Sequence, residues 1–172
     1  YPTHMVQCAT LNDQTKVMIR PVRPEDAQMQ QEFVRNLSDE SRYNRYLSSI
    51  KQLSQTMLVR FTQLDYDREM ALAMTCESEQ GEEQMAVARF ITDPDNEGCE
   101  FALEVADKWQ GRGIGPILMN ALFDAAREQG LTVMRGEVLA GNKGMLKLMH
   151  KLGFTVETHP EDRALTIVTK IL

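Results

Sequence analysis

An α/β (α+β) domain is expected from this chain, with a mixed, mainly antiparallel sheet of six to seven strands flanked by about four to five helices. Alternating apolar and polar residues follow one another around turn-rich stretches, which is typical of antiparallel strands. Near residue 110 a strand, a glycine-rich turn, an amphipathic helix and another strand form a βαβ unit. The 172 residues contain no internal repeat and no Gly/Ser linker, so we expect a single domain over residues 1–172.

The first third of the chain is predicted to be mainly helical after one strand. The segment "TKVMIR" (15–20) alternates like a short strand. Pro24 and the acids that follow it suit the first turn of a helix that ends near Leu37. Serine N-caps predict two further helices, roughly 39–47 after Ser38 and 55–63 after Ser54.

The middle of the chain reads as a hairpin and a third strand. Residues 68–78 and 83–93 alternate on either side of the polar run "ESEQGEE", which predicts a hairpin with a loop longer than two residues. The strand "CEFALEVAD" (99–107) follows. The remaining predicted elements are a helix that begins at the glycines, a strand at 131–140, a helix between an Asn142 N-cap and a C′ glycine at 153, and closing strands near 154–158 and 164–170.

Composition bounds the class of protein. The net charge of −6 gives no support to nucleic-acid binding, which normally needs a basic face. Three scattered cysteines and three isolated histidines suggest neither a disulfide framework nor a metal site. No apolar run approaches the roughly 18 residues that span a bilayer, so we expect a cytoplasmic protein without membrane association. A first residue of Tyr suggests a piece of a longer polypeptide.

The stretch "WQGRGIGPILMNALFDAAREQG" (109–130) predicts an anion site. Apolar residues from Ile114 onward recur at helical spacing, so the helix begins at the glycines. Its free N–H groups and dipole favour a phosphate, the glycines remove Cβ atoms that would obstruct it, and Arg112 adds a charged donor. A turn without a ligand is the alternative. A P-loop is excluded because its Gly-Lys-Ser/Thr sequence is missing. A dinucleotide-binding fingerprint would need a glycine at the position of Pro116. Glu137 lies about 20 residues further on, where an acid could bind a ribose, so a dinucleotide site remains an alternative.

Two carboxylates on the strand "CEFALEV" are candidate general bases. Glu100 and Glu104 share one face of the strand, while Phe101, Leu103 and Val105 share the other. An acid at the polar face of a strand can take a proton from an attacking group, directly or through water. The alternative is that both acids simply face solvent.

The motifs resemble those of the GNAT acetyltransferase superfamily. "QGRGIG" (residues 110–115) has the Q/R-x-x-G-x-G/A form of its motif A, "FALEVADKWQGRGIG" resembles its fourth strand and loop, and "VLAGNKGMLKLMHKLGF" resembles its "N…LGF" motif. The similarity extends over about residues 15–170. It implies a GNAT fold whose sheet opens between the fourth and fifth strands, with acetyl-CoA (coenzyme A) as cofactor.

The resemblance also implies roles for individual residues. Glu100 is the first choice for the general base and Glu104 the second. The N–H of Leu103 would serve the thioester oxygen, that of Val105 the pantetheine arm, and Asn142 the coenzyme, in addition to capping a helix. The full set of coenzyme-binding residues implied is Leu103, Val105, Gln110, Gly111, Arg112, Gly113, Ile114, Gly115, Asn142 and Met149.

Met149 is a departure from the family pattern. Many members carry a tyrosine at this place, seven residues after the asparagine, to protonate the departing thiolate. A thiol is a tolerable leaving group near neutral pH without a dedicated acid. The other interpretation is that transfer is weak or absent and the domain senses acyl-CoA.

A narrower similarity concerns bacterial protein lysine acetyltransferases. "YPTHM", "IRPVRPEDAQMQQEFVRNLSDESRYNRYL" and "FTQLDYDREMALAM" resemble their GNAT domain, which is fused behind an acyl-CoA-synthetase-like region. This implies a protein substrate, the active-site lysine of an acyl-CoA synthetase, and an N-terminal synthetase-like region in the same polypeptide. A small-molecule amine acetyltransferase, a non-catalytic acyl-CoA sensor and, more distantly, a dinucleotide-binding domain remain as alternatives.

Overall fold

The computed structural model describes residues 1–172 and contains one eight-stranded sheet. The strands lie in the order β1-β2-β3-β4-β5-β6-β8-β7, and every neighbouring pair is antiparallel except β5 and β6. A doubly wound dinucleotide-binding fold, which needs a mainly parallel sheet, is therefore wrong for this chain. The strands are β1 (Gln7–Thr10), β2 (Lys16–Pro21), β3 (Glu69–Ser78), β4 (Gly81–Thr92), β5 (Gly98–Val105), β6 (Val133–Leu139), β7 (Thr155–Thr158) and β8 (Leu165–Ile171).

Five α-helices flank this sheet. They are α1 (Ala27–Arg35), α2 (Asp39–Tyr46), α3 (Gln55–Thr62), α4 (Ile114–Glu128) and α5 (Lys143–Lys151), with a 3₁₀ turn at Pro24–Asp26 before α1. The predicted serine caps are confirmed, because the Ser38 hydroxyl accepts from the Ser41 N–H at 3.0 Å and Ser54 accepts from the Met57 N–H at 3.2 Å. None of the helices combines the length and apolarity needed to cross a bilayer.

The core has two layers, one on each face of the sheet. Met70, Leu72 and Met74 of β3 pack toward the cluster that includes α4, while Ala71 and Ala73 belong to the cluster with α1 and α3. This alternation follows from the period of two along a strand. On α4, four members of the predicted apolar stripe are buried and two are partly buried; the buried ones are Ile114, Leu118, Leu122 and Ala125, and the partly buried ones are Ile117 and Ala121. Burying a large apolar side chain contributes about 1.5–3 kcal/mol to stability.

Two sequence predictions about strands were wrong. The sheet has eight strands rather than six to seven, because the short edge strand β1 pairs with β2 although most of its side chains are exposed. The loop between β3 and β4 has two residues rather than more, since Ser78 pairs directly with Gly81. Gly81 has φ +104°, a backbone conformation that glycine adopts without strain and that allows so tight a turn.

The predicted opening of the sheet is confirmed. The fourth and fifth predicted strands, at 99–107 and 131–140, are β5 and β6 of the structure, because β1 was not predicted. These parallel strands pair only over three residues, 98–100 with 133–135, and then diverge. Phe101 lies at the vertex of this fork, packed on Gly136 of β6. A Cβ at Gly136 would lie 2.6 Å from Cε1 of Phe101, so glycine is required there for the ring to fill the vertex. The fork creates the space in which the candidate site lies.

Candidate active site

A cleft of about 920 Å³ extends outward from the fork. One wall is the β5 edge, a second is the glycine-rich turn with the first turn of α4, and a third is the exposed side of α5. Side chains of α2 complete the cleft at its other end. One continuous space therefore joins the glycine turn to the two carboxylates of β5.

Five consecutive backbone N–H groups, those of residues 111–115, have no acceptor within the protein; we call them the amide cradle. Gly111 has φ +76° and Gly113 has φ +80°, and a Cβ at either position would project into open space. These two glycines are therefore needed for the left-handed backbone, which turns the N–H groups outward. The cradle lies at the positive end of the 15-residue helix α4, so it is suited to a phosphate group.

Gly115 has a different reason to be glycine. A Cβ there would lie 2.8 Å from Cδ2 of Leu148, so its absence lets α5 pack against the first turn of α4. Ile114 likewise contributes only its N–H to the cradle, since its side chain is buried in the core. The three alternate glycines thus serve two purposes, backbone geometry at 111 and 113 and helix packing at 115.

The edge of β5 offers further free donors at the fork. The N–H of Ala106 donates to the carbonyl of Met85 in β4, and hydrogen bonds alternate in direction along an antiparallel strand. The N–H groups of Leu103 and Val105 therefore face away from β4, where β6 has already diverged. On the same side, the Val105 carbonyl accepts from the Gln110 side chain at 3.1 Å, which ties the glycine turn to the strand.

Glu104 lies in a buried network rather than at the solvent. Its two oxygens accept from the Tyr46 hydroxyl at 3.0 and 3.2 Å, and Nε of Arg45 lies 3.6 Å away. Burial, together with the Glu104 charge, raises the pKa of Tyr46. Burial lowers the pKa of Arg89 to about 10, an effect that the Glu104 charge opposes. Glu104 therefore compensates two arginine charges beneath the cleft and is poorly placed to exchange a proton with a substrate.

Glu100 is the exposed member of the pair. It stands at the last position where β5 pairs with β6, opposite Arg135, and its carboxylate makes no hydrogen bond within the protein. The pKa of Arg135 is raised, mainly by its hydrogen bond to Asp93 and to a smaller extent by the Glu100 charge. A solvent-accessible carboxylate on the cleft wall is able to accept a proton from an amine.

Asn142 and Met149, the two coenzyme ligands expected on α5, have different outcomes. The Asn142 side chain accepts from the Met145 N–H at 3.3 Å, which confirms the N-cap, and the residue also lines the cleft. Met149 is fully buried in the core, so the expectation that it contacts the coenzyme is wrong. Its helical position points toward the sheet, and Met145 and Leu148 line the cleft instead.

The side chain of Arg112 also differs from expectation. Its guanidinium bonds Asp13 at 3.1 Å and lies 4.7 Å from the centre of the Trp109 ring, and it is not part of the cleft wall. Asp13 precedes β2, so no local pattern near the glycines could have indicated this pairing. Only the backbone N–H of Arg112 belongs to the amide cradle; its charge holds the turn against the N-terminal strands.

The donors in the cleft fit acetyl-CoA. The amide cradle matches a diphosphate, and the free N–H groups of Leu103 and Val105 match the carbonyl groups of an acylated pantetheine arm inserted into the fork. When bound, acetyl-CoA supplies the activated acetyl thioester. The fork between β5 and β6, the amide cradle and the Asn142 side chain all border the same cleft, so a single extended ligand can contact all three.

Comparison with known proteins agrees with this geometry. The profile of the Acetyltransferase (GNAT) family matches residues 32–154. Acetyltransferase PA5475 of Pseudomonas aeruginosa is 32% identical over 153 residues, which cover 89% of this chain and 82% of that protein. Acetyltransferase Pat of Mycolicibacterium smegmatis is 34% identical over 136 residues, or 78% of this chain, but the match spans only 40% of Pat.

Solved structures show the same fold. The GNAT domain of S. lividans PAT superimposes with a TM-score of 0.90 and 29% identity, covering 100% of this chain and 99% of that domain. The yncA protein of Salmonella typhimurium, solved with its cofactor acetyl-CoA, shares the fold with a TM-score of 0.66 at 21% identity, covering 91% of this chain and 92% of that one. The chain belongs to the GNAT family of acetyltransferases, whose acyl donor is acetyl-CoA.

Proposed function

We propose that this domain transfers the acetyl group of acetyl-CoA to the side-chain amine of a protein lysine, the active-site lysine of an acyl-CoA synthetase. The observation that carries the proposal is the single cleft that has the amide cradle at one end and Glu100 at the other. The sequence resemblance to bacterial protein lysine acetyltransferases and the similarity to Pat and to S. lividans PAT support the choice of acceptor.

The shape and charge of the acceptor side also favour a lysine on a protein surface. At this end the cleft is bounded by α2, where Glu40 lines the wall and Leu47 is exposed at the rim. Glu40 and Glu100 attract a cationic ammonium group, while an open rim with an exposed apolar side chain accommodates a macromolecule. A small amine would be better served by an enclosed pocket.

In the proposed mechanism Glu100 accepts the proton that a lysine must lose before it becomes a nucleophile, because the protonated amine has no lone pair. The N–H of Leu103 donates to the acetyl carbonyl oxygen and stabilises the negative charge that develops there. The amide cradle and the Val105 N–H hold the rest of the coenzyme in place. Many family members carry a tyrosine where this chain has Met149, and no other side chain of α5 takes over its role. The thiolate therefore leaves without a dedicated acid.

The proposal is tested by measuring thiol release and lysine acetylation with an acyl-CoA synthetase whose active-site lysine is intact or changed to alanine. Glu100→Gln should lower turnover by about 100-fold or more while coenzyme A binding stays unchanged. Glu97→Gln is the matched control, since Glu97 is an exposed glutamate three positions before Glu100 and lies outside the cleft.

Three results would overturn parts of this proposal. Unchanged turnover of Glu100→Gln at pH 7 would remove Glu100 as the base. Acetylation of small amines without acetylation of the synthetase would place the domain among the small-molecule acetyltransferases. Tight acetyl-CoA binding with no thiol release on any lysine-bearing synthetase would favour a sensor.

A further inference from the structure

We infer that three lysines of α5 form a subsite for the 3′-phosphate of coenzyme A. Lys143, Lys147 and Lys151 recur every four residues, so they form one stripe along the helix, which we call the lysine stripe. All three line the cleft and are exposed. Their three ammonium groups make no ion pair with any acid of the protein.

The stripe lies beside the amide cradle. Leu148 touches α4 at Gly115, the last residue of the cradle. Lys147 precedes Leu148 and Lys151 follows it by three residues, so on the helix both lie to one side of that contact, about 100° and 60° away from it. The buried Met149 lies on the opposite side of Leu148. The lysines therefore face the outer part of the cleft, next to the place where the diphosphate is expected.

Charge separation within the cleft identifies the ligand. Away from α5 the cleft is lined by five acids and one cation; the acids are Glu40, Glu100, Glu104, Asp107 and Glu137, and the cation is Arg45. Arg45 is paired with Glu104, so the cations that make no ion pair all lie on α5. A ligand with an anionic end and an end that meets an amine suits this arrangement. Coenzyme A carries a phosphomonoester at the 3′-position of its ribose in addition to the diphosphate. Because the chain has a net charge of −6, it would repel this 3′-phosphate unless cations lay close to it. Since the cradle is suited to the diphosphate, the lysine stripe is left for the 3′-phosphate.

This inference relies on the coenzyme but not on the proposed acceptor, so binding alone tests it. Calorimetry should compare coenzyme A with 3′-dephospho-coenzyme A on the wild-type domain and on Lys147→Gln/Lys151→Gln. The wild type should bind coenzyme A about tenfold more tightly than the dephospho form, a preference that shrinks as salt is raised. The double glutamine variant keeps only Lys143 and should lose most of this preference. Lys147→Arg/Lys151→Arg keeps the charge and should keep most of the preference.

Lys16→Gln is the matched control, because Lys16 is an exposed lysine of β2 that makes no ion pair and lies outside the cleft. It should leave the preference unchanged. Equal affinity of the wild type for the two forms, or a tenfold preference that survives in Lys147→Gln/Lys151→Gln, would refute the lysine stripe while leaving the proposed function intact. Absence of binding to either form would contradict the coenzyme assignment itself. Melting curves of the variants establish that each one is folded.

Discussion

Gly113 and Gly130 lie at opposite ends of α4 and provide a matched pair for testing the amide cradle. Their φ angles are +80° and +81°, and a Cβ at either position meets no atom within 4 Å. An alanine at either site is therefore strained to the same degree, by about 1–2 kcal/mol. For a domain of this size, 1 kcal/mol lowers the melting temperature by about 2–4 °C. Gly113→Ala and Gly130→Ala should lower it by similar amounts.

Coenzyme binding should separate the two variants. At Gly113 the new methyl group projects into the space that a diphosphate must enter to reach the free N–H groups. A hydrogen bond to a charged group contributes about 1.5–3 kcal/mol, so losing one weakens binding by roughly tenfold to a hundredfold. Titration calorimetry with coenzyme A measures this loss, and Gly130→Ala should bind like the wild type. Wild-type affinity for coenzyme A in Gly113→Ala would refute the assignment of the cradle. If both variants lost the same amount of affinity, the loss would be due to lower stability and not to the cradle.

Two further predictions concern buried charges. Glu104→Gln leaves Arg45 and Arg89 without their shared counter-charge, so we expect it to lower the free energy of unfolding by about 3–5 kcal/mol, measured with urea. Glu100→Gln changes an exposed residue and should alter this free energy little. If the two variants were equally stable, the structural role of Glu104 would be contradicted. Burial raises the pKa of Asp26, but hydrogen bonds from Arg20 and a backbone N–H outweigh it, so the folded-state pKa is lowered below 3.8. The stabilisation by Asp26 is therefore fully present above the unfolded-state pKa and is lost as the pH falls through the folded-state value. The stability deficit of Asp26→Asn should be large at pH 7 and should shrink below about pH 4, and a constant deficit down to pH 2 would contradict this.

The elements that could be predicted are those whose signals are local. Ser38, Ser54 and Asn142 each cap a helix with an atom that lies within three residues of its partner. The stripe on α4 repeats often enough to be unambiguous. The hairpin loop could not be read correctly, because the polar run "ESEQGEE" looks the same in exposed, paired strand ends as in a loop. Strand β1 lacks a buried face and has only its pairing with β2 to define it.

The choice between the two candidate bases shows why long-range contacts decide a site. Glu100 and Glu104 are equivalent by the alternation of β5, and the sequence near them contains no feature that separates them. What separates them is the packing of α2 on the sheet, which brings the Tyr46 hydroxyl to a carboxylate 58 residues away and leaves Glu104 only 5% exposed. Burial beside two arginines and a hydrogen bond from Tyr46 hold the Glu104 carboxylate away from any substrate, whereas a base must contact the group whose proton it takes. The same helix that removes Glu104 from the solvent forms the rim beside Glu100, so the position of α2 determines both which acid is free and where an acceptor can reach it.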